Sequence, residues 1–264
     1  MPLVLISVVT GYALLVLGAF AGQRWLIYPR RGTGTAPVLE GATLERLAGA
    51  DGRTVFALYA AARDGAPTLV HFHGNGEELA DLDGFASLFR ARGFGVLAVE
   101  YPGYGLSRAN EPSETCIYED AEVALRDLTE NKGILRENIV LSGQSLGTGV
   151  AVEMARRGYG GRLLLFSPYT SIAAVANRYL PMLPNRWLVR DAFDSAAKAP
   201  GISLPVLVVH GTDDEVIPFA LGRKLAASFP KARFLPLERG RHNDLFGRGG
   251  DTLIDDIARF CRGD

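Results

Sequence analysis

The chain has 264 residues and a mass of 28.4 kDa, room for one sizeable α/β domain with an appendage. Apolar residues make up 48% and charged residues 22%, which excludes general disorder. Twenty-eight lysines and arginines against 29 acids leave a net charge of −1 with no basic block, so no nucleic-acid partner is expected. The two cysteines, Cys116 and Cys261, exclude a disulfide scaffold and any CxxC metal or redox site, and leave open a single bridge or two free thiols.

Leu3 to Ala21 is a run of nineteen uncharged residues, about 28 Å long as a helix, which matches the hydrocarbon core of a bilayer. Arg24, Trp25, Tyr28, Arg30 and Arg31 follow, a mixture of cations and amphipathic aromatics suited to a membrane interface. Residues 1–28 are therefore read as a single-pass membrane anchor, with the arginines placing the following domain on the cytoplasmic side. The competing readings are a cleaved signal peptide, which would mean export, and a buried core helix. Ala19-Phe20-Ala21 does mimic a cleavage site, but no Lys or Arg precedes the run, which is longer than a usual signal core.

From about residue 43, short apolar runs alternate with amphipathic ones. Thr43–Ala48 and Thr54–Ala60 flank Asp51-Gly52, a hairpin signal. Buried parallel strands are predicted at Thr68–Phe72, Gly95–Val99, Asn138–Ser142, Arg162–Phe166, Pro205–Val209 and Ala232–Leu237. Helical segments lie near 78–92, 115–130, 146–157, 219–228 and 251–262. This order predicts an α/β fold, a mostly parallel sheet with helices on both faces. Nearly forty residues separate Phe166 from Pro205, too many for an ordinary loop, so a lid or helical insertion is expected near 168–204.

Gly143-Gln144-Ser145-Leu146-Gly147 follows one of these strands and opens a helix. A G-x-S-x-G pentapeptide in that setting is a nucleophile elbow, whose glycines give room for a strained turn that lifts the serine above the sheet. A base must follow the acid in the chain order of this elbow type, and of four histidines only His242, in Gly240-Arg241-His242-Asn243-Asp244, lies late enough. The acid belongs in His210-Gly211-Thr212-Asp213-Asp214-Glu215, and spacing does not choose between Asp213 and Asp214. Backbone N–H groups of Asn75, in His73-Gly74-Asn75-Gly76, and of Leu146 are placed to hold an oxyanion. Gly103–Arg108 approaches a dinucleotide fingerprint but ends in arginine, and no Walker A or HExxH sequence occurs.

Taken in order, HFHGNG, EYPGYGLS, LSGQSLGTG, VVHGTDDEVIP and GRHND resemble the α/β-hydrolases over essentially residues 40–264. The leading anchor and Tyr-Pro segment are similar to the membrane-anchored, esterase-like branch that includes protein-depalmitoylating enzymes. The resemblance implies an eight-stranded sheet with its first hairpin antiparallel, a small cap, and no metal or organic cofactor. In that branch the fifth position of HGxxDxxVP carries the acid, which is Asp214 here, although Ile217 replaces the usual valine.

The expected activity is hydrolysis of carboxylic esters or thioesters through an acyl-enzyme. Ser145 would be the nucleophile, His242 the base and Asp214 its orienting acid, and the substrate a small or lipid-like acyl ester. A peptidase of the same fold and a non-catalytic scaffold are the alternatives. The apolar runs Tyr179–Leu183 and Trp187–Val189 in the insertion are expected to cover the mouth above Ser145.

Overall fold

Strands whose two faces are both buried carry apolar residues at every position, and here successive residues feed two different cores. Leu163 and Leu165 join one core with Val70, Phe72, Val206 and Val208, while Leu164 and Phe166 join another with Leu69, Leu207 and Val209. The computed structural model describes residues 2–29, 33–63 and 65–264. Its eight strands are β1 (Thr43–Ala48), β2 (Thr54–Ala60), β3 (Thr68–Phe72), β4 (Gly95–Val99), β5 (Ile139–Gln144), β6 (Arg162–Phe166), β7 (Val206–Gly211) and β8 (Ala232–Leu237). They form one sheet in the order β1-β2-β4-β3-β5-β6-β7-β8.

The β1–β2 hairpin is antiparallel, with Ala48 opposite Thr54, and β2 is also antiparallel to β4. Asp51 and Gly52 at its turn both take positive φ, as the Asp-Gly signal requires. Every other neighbouring pair is parallel. Helices α2 (Asp83–Arg90), α3 (Glu114–Arg126) and α4 (Leu146–Arg156) follow β3, β4 and β5. Helix α2 supplies Ala86 and Phe89 to one core, and α3 and α4 supply Ile117, Leu125, Val150 and Met154 to the other. The sheet is thus covered on both sides.

The long connection after β6 is helical, holding α5 (Ile172–Tyr179), α6 (Asn185–Leu188) and α7 (Ser195–Lys198). Ser171 and Asp194 cap α5 and α7 by accepting from Ala174 N and Ala197 N. Helix α8 (Phe219–Ala226) precedes β8, and α9 (Leu245–Arg262) closes the chain. Helix α9 starts six residues before the expected 251, because Gly250 interrupts it at φ 56° and hides the earlier turn from a periodicity search. Cys116 and Cys261 are free thiols, which settles the bridge that composition left open.

Helix α1 (Pro2–Ile27) is the apolar helix expected at the N-terminus, long and apolar enough to cross a membrane. Its C-terminal half packs on the insertion rather than standing free. Gln23 Nε2 donates to Leu188 O at 3.1 Å, Arg190 N donates to Gln23 Oε1 at 2.7 Å, and Arg24 pairs with Asp191 at 3.1 Å. Of the expected interfacial residues, Trp25 is exposed but Tyr28 is buried and packs in the larger core cluster. Arg30 and Arg31 lie outside the described residues.

Candidate active site

The elbow sits where β5 ends near the centre of the sheet, at the carboxyl edge where open α/β sheets bind ligands. Ser145 takes φ 49° and ψ −116°, a conformation an L-residue holds only under constraint. A Cβ on Gly147 would lie 1.9 Å from the Phe72 carbonyl oxygen, and one on Gly143 would lie 2.3 Å from the Gly147 oxygen. Both obstacles are backbone, so only glycine fits. Ser145 N donates to Phe166 O at 3.0 Å and Thr148 Oγ1 donates to Ser145 O at 2.6 Å, tying the turn to β6 and to α4.

The loop after β7 separates the two candidate acids. Asp213 is exposed, whereas the Asp214 side chain is fully buried beside His242, whose Nδ1 lies 3.0 and 2.9 Å from Oδ1 and Oδ2. Asp214 Oδ1 also accepts from Val216 N at 2.9 Å and Ile217 N at 2.8 Å, which fixes the carboxylate plane. Burial alone would raise the Asp214 carboxyl; hydrogen bonds from His210 and His242 outweigh it and hold the group well below the usual carboxylate range. An ionised acid only accepts, so Nδ1 of His242 donates to it, the tautomer in which a neutral imidazole presents the Nε2 lone pair.

Sequence reasoning missed the second histidine on this acid. His210, at the end of β7, is fully buried with Nε2 3.2 Å from Asp214 Oδ2 and 3.1 Å from Ile217 O. Both neighbours accept, so Nε2 of His210 donates to them. The i, i+4 spacing of His210 and Asp214 was the available signal, but it has that meaning only once the strand is known to end in a tight turn. The remaining histidines support the sheet. His71 Nδ1 lies 3.0 Å from Ser142 Oγ, and burial lowers its pKa to about 3, so it stays neutral. His73 is buried against Tyr101 and lies 3.4 Å from Glu100.

Asn75, Ser145 and Leu146 line one cavity of about 430 Å³. Tyr104 Oη donates to Asn75 Oδ1 at 2.6 Å, a clamp on this loop that the sequence motif did not reveal. The cavity walls are otherwise apolar: Ile172, Val175, Ala176 and Leu180 of the insertion, Ile217 of the acid loop, and Leu26 and Ile27 of α1. The expected cover is therefore half right. Tyr179 and Leu180 contribute, but Trp187 stands 81% exposed and does not line this cavity, which Leu26 and Ile27 of α1 help to wall. His242 faces a second cavity of about 460 Å³, shared with Gln144, Glu77, Asp81, His71, Phe85 and Phe246. The structure thus brings His242 and Asp214 into contact, and gathers Ser145, Leu146 and Asn75 around one cavity.

A mostly parallel eight-stranded sheet in this order, with a serine elbow at its centre, defines an α/β-hydrolase. The family described as serine aminopeptidase, S33, matches residues 65–190. The mouse alpha/beta hydrolase domain-containing protein 17C is 36% identical over 180 residues, 67% of this chain and 55% of its own. The chain thus spans about half the length of the 17C relatives it matches. Uncharacterized protein Rv2307c of Mycobacterium tuberculosis is 33% identical over 196 residues, covering 74% of this chain and 69% of that one. Among solved structures, a Mycobacterium tuberculosis puromycin-hydrolyzing peptidase superposes with a TM-score of 0.68 at 21% identity, over 83% of this chain and 38% of the other. Thermogutta terrifontis esterase 2 gives 0.64 at 20% identity, over 84% and 92%. The chain belongs to the α/β-hydrolase superfamily and is similar to the 17C proteins and to Rv2307c.

Proposed function

We propose that this protein is a membrane-anchored serine hydrolase that cleaves esters or thioesters of apolar acids through an acyl-enzyme. The observations that carry the reading are the buried Asp214–His242 pair and a strained serine that opens onto an apolar cavity. Ser145 Oγ attacks the acyl carbon while Nε2 of His242 takes its proton. Asp214 holds the imidazole in the required tautomer and stabilises its cationic form. The N–H groups of Asn75 and Leu146 bind the oxyanion, the latter helped by the positive end of α4. His242 returns the proton to the leaving group, and water then resolves the acyl-enzyme.

Residues 1–28 form the anchor in this reading and residues 40–264 the hydrolase domain. The segment near 168–204 is its cap, and the catalytic side faces the cytoplasm. Thioesters enter through the resemblance to depalmitoylating enzymes. The aminopeptidase description of the matched family favours one rival, cleavage of an aminoacyl amide. The full chain in mild detergent, offered p-nitrophenyl esters of graded length and aminoacyl p-nitroanilides, separates the two. Ester cleavage with anilides ignored is expected. Each added methylene should gain up to roughly 0.8 kcal/mol, a several-fold rise in kcat/KM, until the cavity fills. Anilide cleavage alone would replace this reading with the peptidase, and no cleavage of either would leave a scaffold.

A further inference from the structure

A second, smaller cavity of about 80 Å³ continues the one at Ser145. The two share Leu26, Ile27, Ile172, Ala176 and Leu180, and the smaller one extends between α1 and the insertion to Ala19. One wall of the path to Ser145 is thus the apolar helix itself.

The insertion also follows that helix along its axis. Leu188 is bonded to Gln23, whereas Met182 accepts a hydrogen bond from Tyr12 Oη at 2.8 Å. Tyr12 lies nine residues inside Ala21, about 14 Å at 1.5 Å per residue. Tyr179 to Asn185 carries no charge, Arg178 and Arg186 bracket it, and Tyr179, Leu180 and Met182 are exposed. Irregular backbone survives in hydrocarbon only if its polar groups are satisfied. Pro181 and Pro184 have no N–H, Leu180 N and Leu183 N donate to Ala176 O and Leu180 O, and Met182 O accepts from Tyr12. Arg190, stacked on Phe20 at 4.1 Å, and Arg24 stand where this apolar stretch gives way to charge.

We infer that the Tyr179–Asn185 segment dips into the bilayer beside α1, and that acyl chains resident in the bilayer reach Ser145 between α1 and α5 without crossing water. The occupant of the exposed apolar face is lipid, because that face continues the surface of a helix suited to the same solvent. This inference rests on the hydrolase reading for its chemistry, but not for the placement of the loop.

The full chain, reconstituted in dioleoylphosphatidylcholine vesicles, tests both parts. With Trp25 and Trp187 replaced by Phe, M182W is the sole tryptophan. Lipid brominated on its acyl chains should quench it more strongly than it quenches Trp25 alone in W187F. Equal or weaker quenching would overturn the inference, as would a dimer that hides the face. Ala19→Trp, which blocks the smaller cavity, should lower the ratio of 4-methylumbelliferyl oleate cleavage in vesicles to p-nitrophenyl acetate cleavage. A fall of about tenfold is expected, the worth of roughly two buried methylenes; an unchanged ratio would overturn the route. Cleavage of p-nitrophenyl acetate without quenching at M182W would sink the bilayer route and spare the hydrolase reading. Quenching without cleavage of any ester would do the reverse.

Discussion

The two cavities beside the elbow, one lined by Ser145 and the other by Gln144, are similar in size, and only the second is lined by carboxylates. The one that holds Ser145 is walled by aliphatic side chains from three separate parts of the chain, α1, the insertion and the acid loop. The one that holds His242 is lined by Glu77, Asp81, Gln144 and His71 beside Phe85 and Phe246. An apolar wall rewards methylene groups without reading their identity, whereas carboxylates reward charge and direction. In the proposed reaction the first side takes the acyl chain and the second the leaving group. Selectivity for the acid would be graded, and selectivity for the leaving group electrostatic.

The largest effects should come from the seam between the cavities. Ser145→Ala should abolish fluorophosphonate labelling and lower turnover on the order of 10⁴–10⁶-fold, with His242→Ala in the same range. Asp214→Asn should cost up to about 10⁴-fold through the wrong tautomer. Asp213→Asn, at an exposed position, should leave kcat/KM within about twofold; a larger loss at Asp213 would break the assignment of the acid.

A control should disturb neither cavity. Glu153 is buried among Arg156, Arg157 and Lys198, at 2.6, 2.8 and 3.0 Å. Burial opposes its ionisation, and these three cations outweigh it, lowering its pKa from 4.5 to about 2. A depressed carboxyl contributes its full stabilisation above 4.5 and loses it as the pH falls towards about 2. Glu153→Gln should therefore cost about 2 kcal/mol at pH 7, with a lower Tm that converges on the native one in acid. Its acyl-chain preference should not change.

Smaller effects then test each cavity alone. Ala176→Phe, which fills the aliphatic side, should lower kcat/KM for octanoyl relative to acetyl esters by about tenfold. Asp81→Asn should weaken cleavage of esters with a cationic leaving group by about twofold at low ionic strength and less in salt. If Asp81→Asn shifted the acyl preference instead, the division of labour between the cavities would be wrong.

The strands were legible because every buried strand is a short aliphatic run, and the elbow because its glycines are dictated by backbone contact at Phe72 and Gly147. The acid was legible only to within one residue from spacing, since Asp213 and Asp214 differ in direction rather than in chemistry. His210 against Asp214 left only an i, i+4 spacing to read, and Tyr104 against Asn75 and Tyr12 against Met182 were not legible at all. The last two join residues 29 and 170 positions apart, and no local pattern encodes which surfaces a fold will bring together.

The elbow also has a consequence for how the chain assembles. Ser145 is held at positive φ by partners on other strands, the Phe72 carbonyl of β3 against Gly147 and the Phe166 carbonyl of β6 on its own N–H. A β5–α4 segment formed alone has neither partner and would relax to an ordinary turn, as L-residues do. The reactive geometry is therefore a late product of folding. It arises only when β3, β5 and β6, whose residues are drawn from about a hundred positions of sequence, have found their places side by side.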